Sequence, residues 1–307
     1  MSPMMHPDDL RRDLLANAPL RRATAPFTWL EVRGRDAAEF VHRLCAQDVL
    51  GMGDGQLRPA AWLDAKGKLV ATCLLVRFGD RVLLEVMAEQ AERLHTLLQR
   101  YHFTEQLTIV PPRPVGCVET VCAAAGEAAV STAALVGEDL RLRCTRRGIT
   151  CERQYGAARV DHPPARPLDA ATAECLRLLA GFVRVGVETE PSTLALEVDL
   201  DDHLSTTKGC YTGQEIVARI HTYGHTNRKA CLLWLPAGAP ITAPVPLADA
   251  DGDAVGRVLH AVPVPGHAAR LGLGYLPKDF QAIGTQLGID GGRAVVIGYE
   301  PLAGLPA

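Results

Sequence analysis

The sequence predicts an α+β fold built on antiparallel sheets and closed by a C-terminal antiparallel β-barrel. The first observation is a set of three strand-like segments, 59–63, 69–78 and 82–87, which are separated by short polar turns and followed by a helical pattern over 90–101. Such turns indicate an antiparallel meander, and helices on one face of that sheet are typical of an α+β lobe. The second observation begins at Cys231, where short apolar runs alternate with proline and glycine turns, as in a small barrel or sandwich.

The other segments agree with this class. A short helix or a loose arm is expected over 8–18, and helices are predicted after Asp36 and from Asp169 to about Gly181. Further strands are predicted at 27–32, 115–122, 140–145 and around 154–160, with proline breaks at 111–114 and 163–167 and an Ala/Gly-rich stretch over 123–137. We therefore expect an N-terminal arm over 1–23, an α+β region over 24–230 and the β-barrel over 231–307.

The composition is that of an ordinary globular protein. The chain has 307 residues, 48% hydrophobic and 22% charged, with a formal net charge of −3 and a pI near 6.4. This balance argues against direct nucleic-acid binding as the main function. Nine scattered cysteines without a C-x-x-C pair favour a reducing compartment. Without a long apolar run or a leader-like N-terminus, the expected location is the cytoplasm, with no membrane partner.

The segment 208–218, K-G-C-Y-T-G-Q-E-I-V-A, contains the one cysteine with a visible reason to be reactive. Thr212 and Glu215 match the capping box T-x-x-E, so a helix is expected from about Gly213 to His221. Cys210 would then lie just outside a helix N-terminus, with Lys208 nearby, and both features favour the thiolate. The competing interpretation is a small buried cysteine in front of a helix.

The eight residues 208–215 resemble the signature K-G-C-Y-x-G-Q-E of the YgfZ-type folate-binding proteins, a branch of the glycine-cleavage T-protein superfamily. All the defined positions are met, and Thr212 occupies the variable one. The segment 63–68, L-D-A-K-G-K, is also similar to a family element, L-D-x-x-G-[KR], that forms part of the wall of a folate cleft; on its own it is a good hairpin turn. The resemblance implies two interleaved α+β lobes followed by a β-barrel.

The resemblance also implies a function and a set of site residues. It implies tetrahydrofolate, or a one-carbon derivative, as the cofactor, and a role in the assembly or repair of iron–sulfur clusters in client proteins, including enzymes that modify tRNA. Cys210 would be the working thiol and Lys208 its electrostatic activator. Contacts to folate or a partner are expected from Tyr211, Gln214, Glu197, Arg219 and Arg228. Gly209 and Gly213 would let the backbone turn tightly.

Departures from the T-protein pattern argue against aminomethyl transfer by the T-protein route. Leu179 stands where R-L-E-A-G has its glutamate, and Ala71 and Thr72 stand where G-G-[IL]-x-D-D has its aspartates. Without a carboxylate there is no obvious group to relay a proton at the folate nitrogens. In the stretch 191–201, which resembles P-x-x-L-P-Q-E-x-N-L-D, Glu197 matches and Asp199 replaces the asparagine; both would lie on one side of an extended segment, facing a ligand or solvent.

Three alternatives stay open. The chain could be a folate-dependent one-carbon transferase, or a non-catalytic folate-binding adaptor in which Cys210 is structural. A metal site formed by Cys210, His221 and His225 is not expected, because Gly224 should end the helix between the two histidines and no fourth ligand is evident.

Overall fold

The computed structural model describes residues 5–16, 19–23, 25–112, 116–124, 131–137, 139–156, 164–224, 226–239 and 244–298. Its α-helices are α1 (Pro7–Leu14), α2 (Ala37–Leu44), α3 (Ala88–Tyr101), α4 (Ala170–Leu179) and α5 (Gln214–Tyr223). Strands of the first half are β1 (Leu20–Arg22), β2 (Phe27–Arg33), β3 (Leu57–Leu63), β4 (Leu69–Phe78), β5 (Arg81–Met87), β6 (Thr108–Val110), β7 (Cys117–Ala123), β8 (Thr132–Val136), β9 (Asp139–Arg146) and β10 (Ile149–Tyr155). The second half adds β11 (Arg166–Pro167), β12 (Arg228–Pro236), β13 (Val245–Ala248), β14 (Ala254–Pro263), β15 (Ala269–Pro277), β16 (Gln286–Ile289) and β17 (Gly292–Val296).

The predicted meander forms a five-stranded antiparallel sheet with the strand order β3-β4-β5-β2-β6. One face of this sheet packs against α2 and α3, in a core that includes Phe40, Trp62, Leu75 and Leu94. Because side chains alternate along a strand, the other face carries Leu74, Val76 and Leu83, among others. That second face packs against the other sheet of the α+β region.

The second sheet has six strands in the order β11-β1-β7-β10-β9-β8. The chain contributes β1, leaves to form the whole five-stranded sheet, and then returns for β7 to β11, so the two lobes are interleaved as predicted. The helix α1 packs on α4, and its Leu10 and Leu14 are buried together with Leu176. Residues of the expected N-terminal arm thus belong to the core and sheet of this lobe.

The C-terminal barrel is confirmed as a closed six-stranded structure with the order β12-β15-β14-β13-β16-β17. It begins at Arg228, slightly before the expected boundary at Cys231. Trp234 and Leu271 join the core formed by α4 and the six-stranded sheet, so the barrel is packed directly on the α+β region. Among the described residues, no helix is long and apolar enough to cross a membrane.

Local differences from the sequence prediction are small. The first helix covers Pro7–Leu14 rather than 8–18, and the strand expected around 154–160 is Ile149–Tyr155. The side chain of Asp169 accepts a hydrogen bond from the Thr172 amide, so it caps α4 as predicted. Several predicted features lie outside the described residues: 1–4, 17–18, 113–115, 125–130, 157–160, Pro163, His225 and 299–307.

Candidate functional site

Residues 208–213 form a loop, which we call the signature loop, in front of α5. The helix α5 begins one residue later than the capping box predicted. Gly213 is the N-cap of α5, with a left-handed φ of +80°, and it makes no side-chain cap. A Cβ at Gly213 would lie 2.5 Å from the Asp64 carbonyl oxygen and 2.9 Å from the Gly67 Cα. The predicted cap at Thr212 is therefore wrong: the loop must press against the Asp64–Gly67 turn, and only glycine allows that approach with this φ. Gly224, at φ +89°, ends the helix as predicted.

The Lys208 ammonium group is anchored at the C-terminus of α2. Its Nζ donates to the carbonyl oxygens of Cys45 at 2.8 Å, Gln47 at 3.2 Å and, in a short contact, His42. Helix C-termini leave such carbonyls without intrahelical partners, and a lysine there satisfies them and complements the helix dipole. Lysine has three donors, so all three are used. Lys208 is thus positioned to hold the loop, and its predicted role as the electrostatic activator of Cys210 stays a prediction.

Tyr211 and Gln214 also hold the loop. The Tyr211 ring is buried in a core cluster with Leu63, Leu69 and Val217, and the Lys208 Nζ lies 5.0 Å from its centroid. The Gln214 side-chain oxygen accepts from the Tyr211 amide at 3.4 Å. The Tyr211 ring thus faces the protein interior and the Gln214 side chain closes the turn in front of α5, while the ligand contacts predicted for both residues stay predictions. At Gly209 an added Cβ would meet open space, so this glycine is not required by a tight turn.

Cys210 is the only exposed cysteine in the chain, all nine of whose cysteines lie in described segments. Seven of the others are buried, and Cys122 is intermediate. Burial raises the pKa of buried thiols such as Cys45, to about 11, which keeps them protonated and inert. The residues on both sides of Cys210 are fixed, while its own side chain projects to solvent. The loop therefore presents one thiol on a rigid support.

Glu197 and Arg228 pair with each other. The Arg228 guanidinium lies 3.2 Å from Glu197 Oε1 and 2.8 Å from Glu190 Oε2. Glu197 also accepts from the Leu194 amide, in a 3₁₀ turn over Ala195–Glu197. The expectation of an extended segment is wrong here, because this turn buries Glu197 while Asp199, at φ +56°, pairs with Arg147 instead.

Arg219 is exposed on α5, the helix that follows the signature loop. It is therefore the one predicted folate-binding arginine whose side chain is accessible, since Arg228 is held by Glu190 and Glu197.

Two small cavities lie between the two sheets, with volumes of about 40 and 20 Å³. We call them together the interlobe cleft, and five residues line both: Phe27, Met87, Arg153, Arg177 and Phe182. The larger cavity is also lined by Thr72 and Cys73 on β4, the strand that begins just after the Asp64–Gly67 turn. At about 3.3 Å per residue, the cleft lies on the order of 20 Å along β4 from the turn on which the signature loop rests.

Carboxylates line this cleft although none stands at the family's positions. Glu85 accepts hydrogen bonds from Arg153 and from the Tyr155 hydroxyl, both in short contacts, and Arg153 Nε donates to Glu119 Oε1 at 2.9 Å. Glu85, Glu119 and Arg153 are each at most 5% exposed. Burial raises the pKa of Glu85, while the Arg153 charge and the Tyr155 hydrogen bond oppose that shift. The guanidinium of Arg153 also stacks 3.8 Å from the Phe27 ring centroid.

A second charged group adjoins the first. Arg177 Nη1 donates to Glu188 Oε2 at 2.9 Å, and Arg177 Nη2 lies 2.8 Å from Glu174 Oε2. With His260, these two glutamates form the one group of the described residues whose ligand atoms are close enough to hold a metal ion. Arg177 and Arg184 already neutralise both carboxylates, so the group is organised as ion pairs.

Sequence reasoning missed these clusters because their members are far apart in the chain. The available signal was Glu85 inside the apolar run Val82–Met87, since a charged residue in a buried strand is uncommon without a partner. Its partner Arg153 lies 68 residues away. A larger cavity, of about 250 Å³, lies on the outer face of β7 to β10, and none of the sequence-predicted site residues lines it.

The fold is that of the glycine-cleavage T-proteins. The structure matches the glycine cleavage system aminomethyltransferase T of Bartonella henselae with a TM-score of 0.73, covering 98% of this chain and 91% of that one at 17% identity. This likeness confirms the expected α+β fold with its C-terminal barrel.

The resemblance to YgfZ-type proteins is confirmed by sequence. The tRNA-modifying protein YgfZ of Escherichia coli K12 is 28% identical over 237 residues, which cover 69% of this chain and 70% of that protein. A chloroplastic protein of Arabidopsis thaliana is 32% identical over 125 residues, 39% of this chain; the match spans only 27% of that longer protein. No family model matches the chain.

Proposed function

We propose that this protein binds tetrahydrofolate or a one-carbon derivative, and supports the assembly or repair of iron–sulfur clusters in client enzymes. Enzymes that modify tRNA are among the proposed clients, and Cys210 is the proposed working thiol. The observation that carries the proposal is the exposed Cys210 on a loop in which Lys208, Tyr211 and Gly213 are each fixed. The free, mostly buried cysteines suit a reducing compartment, so we place this role in the cytoplasm.

A rigid loop with an accessible thiol suits chemistry on a partner molecule. A thiolate can ligate a soft metal such as cluster iron, or attack an electrophile, and both need access from outside. A cysteine that only filled space would be buried, as most of the others are. The YgfZ sequence similarity and the T-protein fold make folate the best-supported ligand.

The interlobe cleft is the proposed folate site, and its residue types suit a pterin ring. The faces of Phe27 and Phe182 offer stacking surfaces, and Thr72 and Glu85 offer polar contacts for ring nitrogens. A cavity of about 40 Å³ has room for a few water molecules, so a whole ring enters only if the lining side chains move apart. When bound, the folate would supply a one-carbon unit or a reduced pterin.

We propose that Arg219 binds the anionic tail of the folate. Its guanidinium is exposed on α5, whereas Arg228 is held by two glutamates. We propose that Glu197 and Arg228 stabilise the connection between the loop region and the barrel.

The test is complementation of a bacterium that lacks its own family member. The strain would express the wild-type chain, Cys210→Ser, or Cys122→Ser, and the activity of a [4Fe–4S] enzyme would be measured under oxidative stress. Cys122 is the matched control, because it is the next most accessible cysteine and lies on β7, away from the loop. We expect wild type and Cys122→Ser to restore activity and Cys210→Ser to fail.

The other outcomes separate the alternatives. If Cys210→Ser restores activity fully, the thiol is structural and the adaptor interpretation is favoured. If soluble wild-type protein restores nothing, the cluster role is rejected. Retention of the methylene group of 5,10-methylenetetrahydrofolate by the protein would then identify a one-carbon transferase.

A further inference from the structure

The side chain of His203 is 3% exposed and lines the larger cavity of the interlobe cleft together with Thr72 and Cys73. Its Nδ1 lies 2.7 Å from Asp202 Oδ1, and the other carboxylate oxygen, Oδ2, lies 2.8 Å from Arg146 Nη1. The three residues therefore form a chain from arginine to carboxylate to imidazole, and the ring of the imidazole faces the cleft. Neither the signature loop nor the ion-pair clusters involve this chain of contacts.

The charges of Asp202 and Arg146, together with burial, determine the protonation state of His203. Burial alone would raise the pKa of Asp202, but the hydrogen bond to His203 and the neighbouring charges lower it to about 2, so the carboxylate is ionised. Burial lowers the pKa of His203, which favours the neutral ring. Two groups approach Nδ1: Arg146 Nη1, a donor, at 3.4 Å, and Asp202 Oδ1, an acceptor, at 2.7 Å. The much shorter contact to the carboxylate decides the tautomer, and because an ionised carboxylate only accepts hydrogen bonds, Nδ1 carries the hydrogen. The lone pair of the neutral ring is then on Nε2.

Nε2 has no hydrogen-bond partner among the residues the structure describes. Unlike the fully buried side-chain atoms that lack a partner, such as Trp29 Nε1, it is open to the cavity, where a ligand can reach it. We propose that His203 is the proton acceptor of the interlobe cleft, with Asp202 as the positioning residue that holds its Nδ1–H tautomer. The geometry is that of a general base oriented by a carboxylate.

The class of ligand follows from this geometry. Nε2 would accept a hydrogen bond, or the proton itself, from an N–H or O–H group on the edge of a planar ring held between Phe27 and Phe182. In a full transfer the donor atom keeps its electron pair, the proton moves to Nε2, and the imidazolium is stabilised by Asp202. Only the identity of that ligand as a folate rests on the proposed function.

On β4, Thr72 lines the same cavity as His203 and carries no charge. Other ionisable groups face this cavity or the dyad from each packed element: Cys73 on β4, Glu85 on β5, Arg146 on β9, Arg153 on β10, Arg177 on α4, and Arg147, Arg184 and Asp199 from the loops. Most of them are cations, which favour the neutral imidazole.

The first experiment reads the tautomer in the ligand-free full chain. Nitrogen-15 chemical shifts of the histidine rings, assigned with His203→Gln, would be recorded at about pH 7.5. We expect a protonated Nδ1 and an unprotonated Nε2 for His203. A protonated Nε2, or an imidazolium at this pH, would overturn the proposal whatever the protein binds.

The second experiment measures tetrahydrofolate affinity by calorimetry between about pH 5.5 and 8. In wild type, affinity should fall as the pH is lowered and the ring becomes protonated, because the acceptor is lost. His203→Gln, which keeps an acceptor that does not titrate, should flatten this profile; His203→Leu should bind at least tenfold more weakly at pH 7.5. His95→Gln, on the far helix α3, is the control and should behave as wild type.

The outcomes are distinguishable. If wild type binds tetrahydrofolate and both His203 variants bind it with an unchanged pH profile, the acceptor role is rejected while the folate role stands. If wild type binds no tetrahydrofolate, the proposed function fails and the nitrogen-15 result alone decides the role of His203. Circular dichroism of each variant shows whether a weak binder is folded.

Discussion

The buried ion pairs of the interlobe cleft give the sharpest prediction, which concerns Arg153→Leu. The guanidinium of Arg153 is 4% exposed and forms ion pairs with Glu85, which is 2% exposed, and with Glu119. After the substitution Glu119 keeps Arg22, whose Nε donates to Oε2 at 2.7 Å, but Glu85 keeps only the Tyr155 hydroxyl. The variant thus leaves one buried carboxylate without a cation.

The expected cost is about 3–5 kcal/mol in the free energy of unfolding at pH 7, because removing one partner of a buried ion pair leaves an uncompensated charge. The same substitution at Arg143 is the control. Its pair with Glu152, at 3.4 Å, has side chains about half exposed, so Arg143→Leu should cost about 0–1 kcal/mol. The double variant Arg153→Leu/Glu85→Leu should recover part of the loss, since it removes the stranded charge as well.

The pH dependence has a definite sign. In Arg153→Leu the folded-state pKa of Glu85 lies above its unfolded value of about 4.3, because burial is no longer opposed by the cation. A carboxyl with a raised folded-state pKa stabilises the fold only while protonated, and that contribution is lost as the pH rises through the folded-state pKa. The free energy of unfolding of Arg153→Leu should therefore approach that of wild type as the pH falls toward about 4.3.

Urea unfolding followed by tryptophan fluorescence measures these differences, because Trp29 and Trp62 both lie in the five-stranded sheet beside the cleft. A loss for Arg153→Leu within 1 kcal/mol of that for Arg143→Leu would refute the reasoning. So would a difference that grows as the pH is lowered.

The signature loop gives two further predictions that urea unfolding and hydrogen exchange of residues 208–215 can test. Lys208→Met should cost about 1.5–3 kcal/mol and speed exchange in the loop, because three carbonyls lose a charged donor; the exposed Lys66→Met should stay within about 0.5 kcal/mol. Gly213→Ala should cost about 1–3 kcal/mol because of its φ of +80° and the 2.5 Å approach to Asp64, whereas Gly209→Ala should change stability by less than about 0.5 kcal/mol. Equal effects at the two glycines, or at the two lysines, would contradict the packing described for the loop.

Much of the fold was predictable because its signals are local. Strand alternation with polar turns located the meander β3 to β5, and the Asp169 cap located the start of α4. Even where the capping box was misread by one residue, Gly213 and Gly224 still bounded a helix. Each of these features depends on residues within one or two turns of each other, so a linear sequence contains them.

The roles of the site residues were harder to predict, because a side chain's partner depends on distant parts of the chain. The signature loop was found from its residue pattern, but the pattern did not show that Lys208 binds carbonyls 161 to 166 positions away. Glu197 and Arg228 were both expected at a ligand, and they neutralise each other instead. Asp202 and His203, adjacent in the sequence, carried no signal until β4 and β9 were packed beside them.

The sequence by itself thus determined much of the secondary structure and the loop that carries Cys210, since hydrophobic periodicity, turn chemistry and a contiguous motif are properties of short segments. The interleaved lobes were expected from the resemblance to a known family, not from these local patterns. Only the tertiary structure decided which charges are buried, which carboxylates are neutralised and which thiol faces solvent. Burial and Coulomb interactions depend on distances between segments, and those distances exist only once the two sheets and the barrel have packed together.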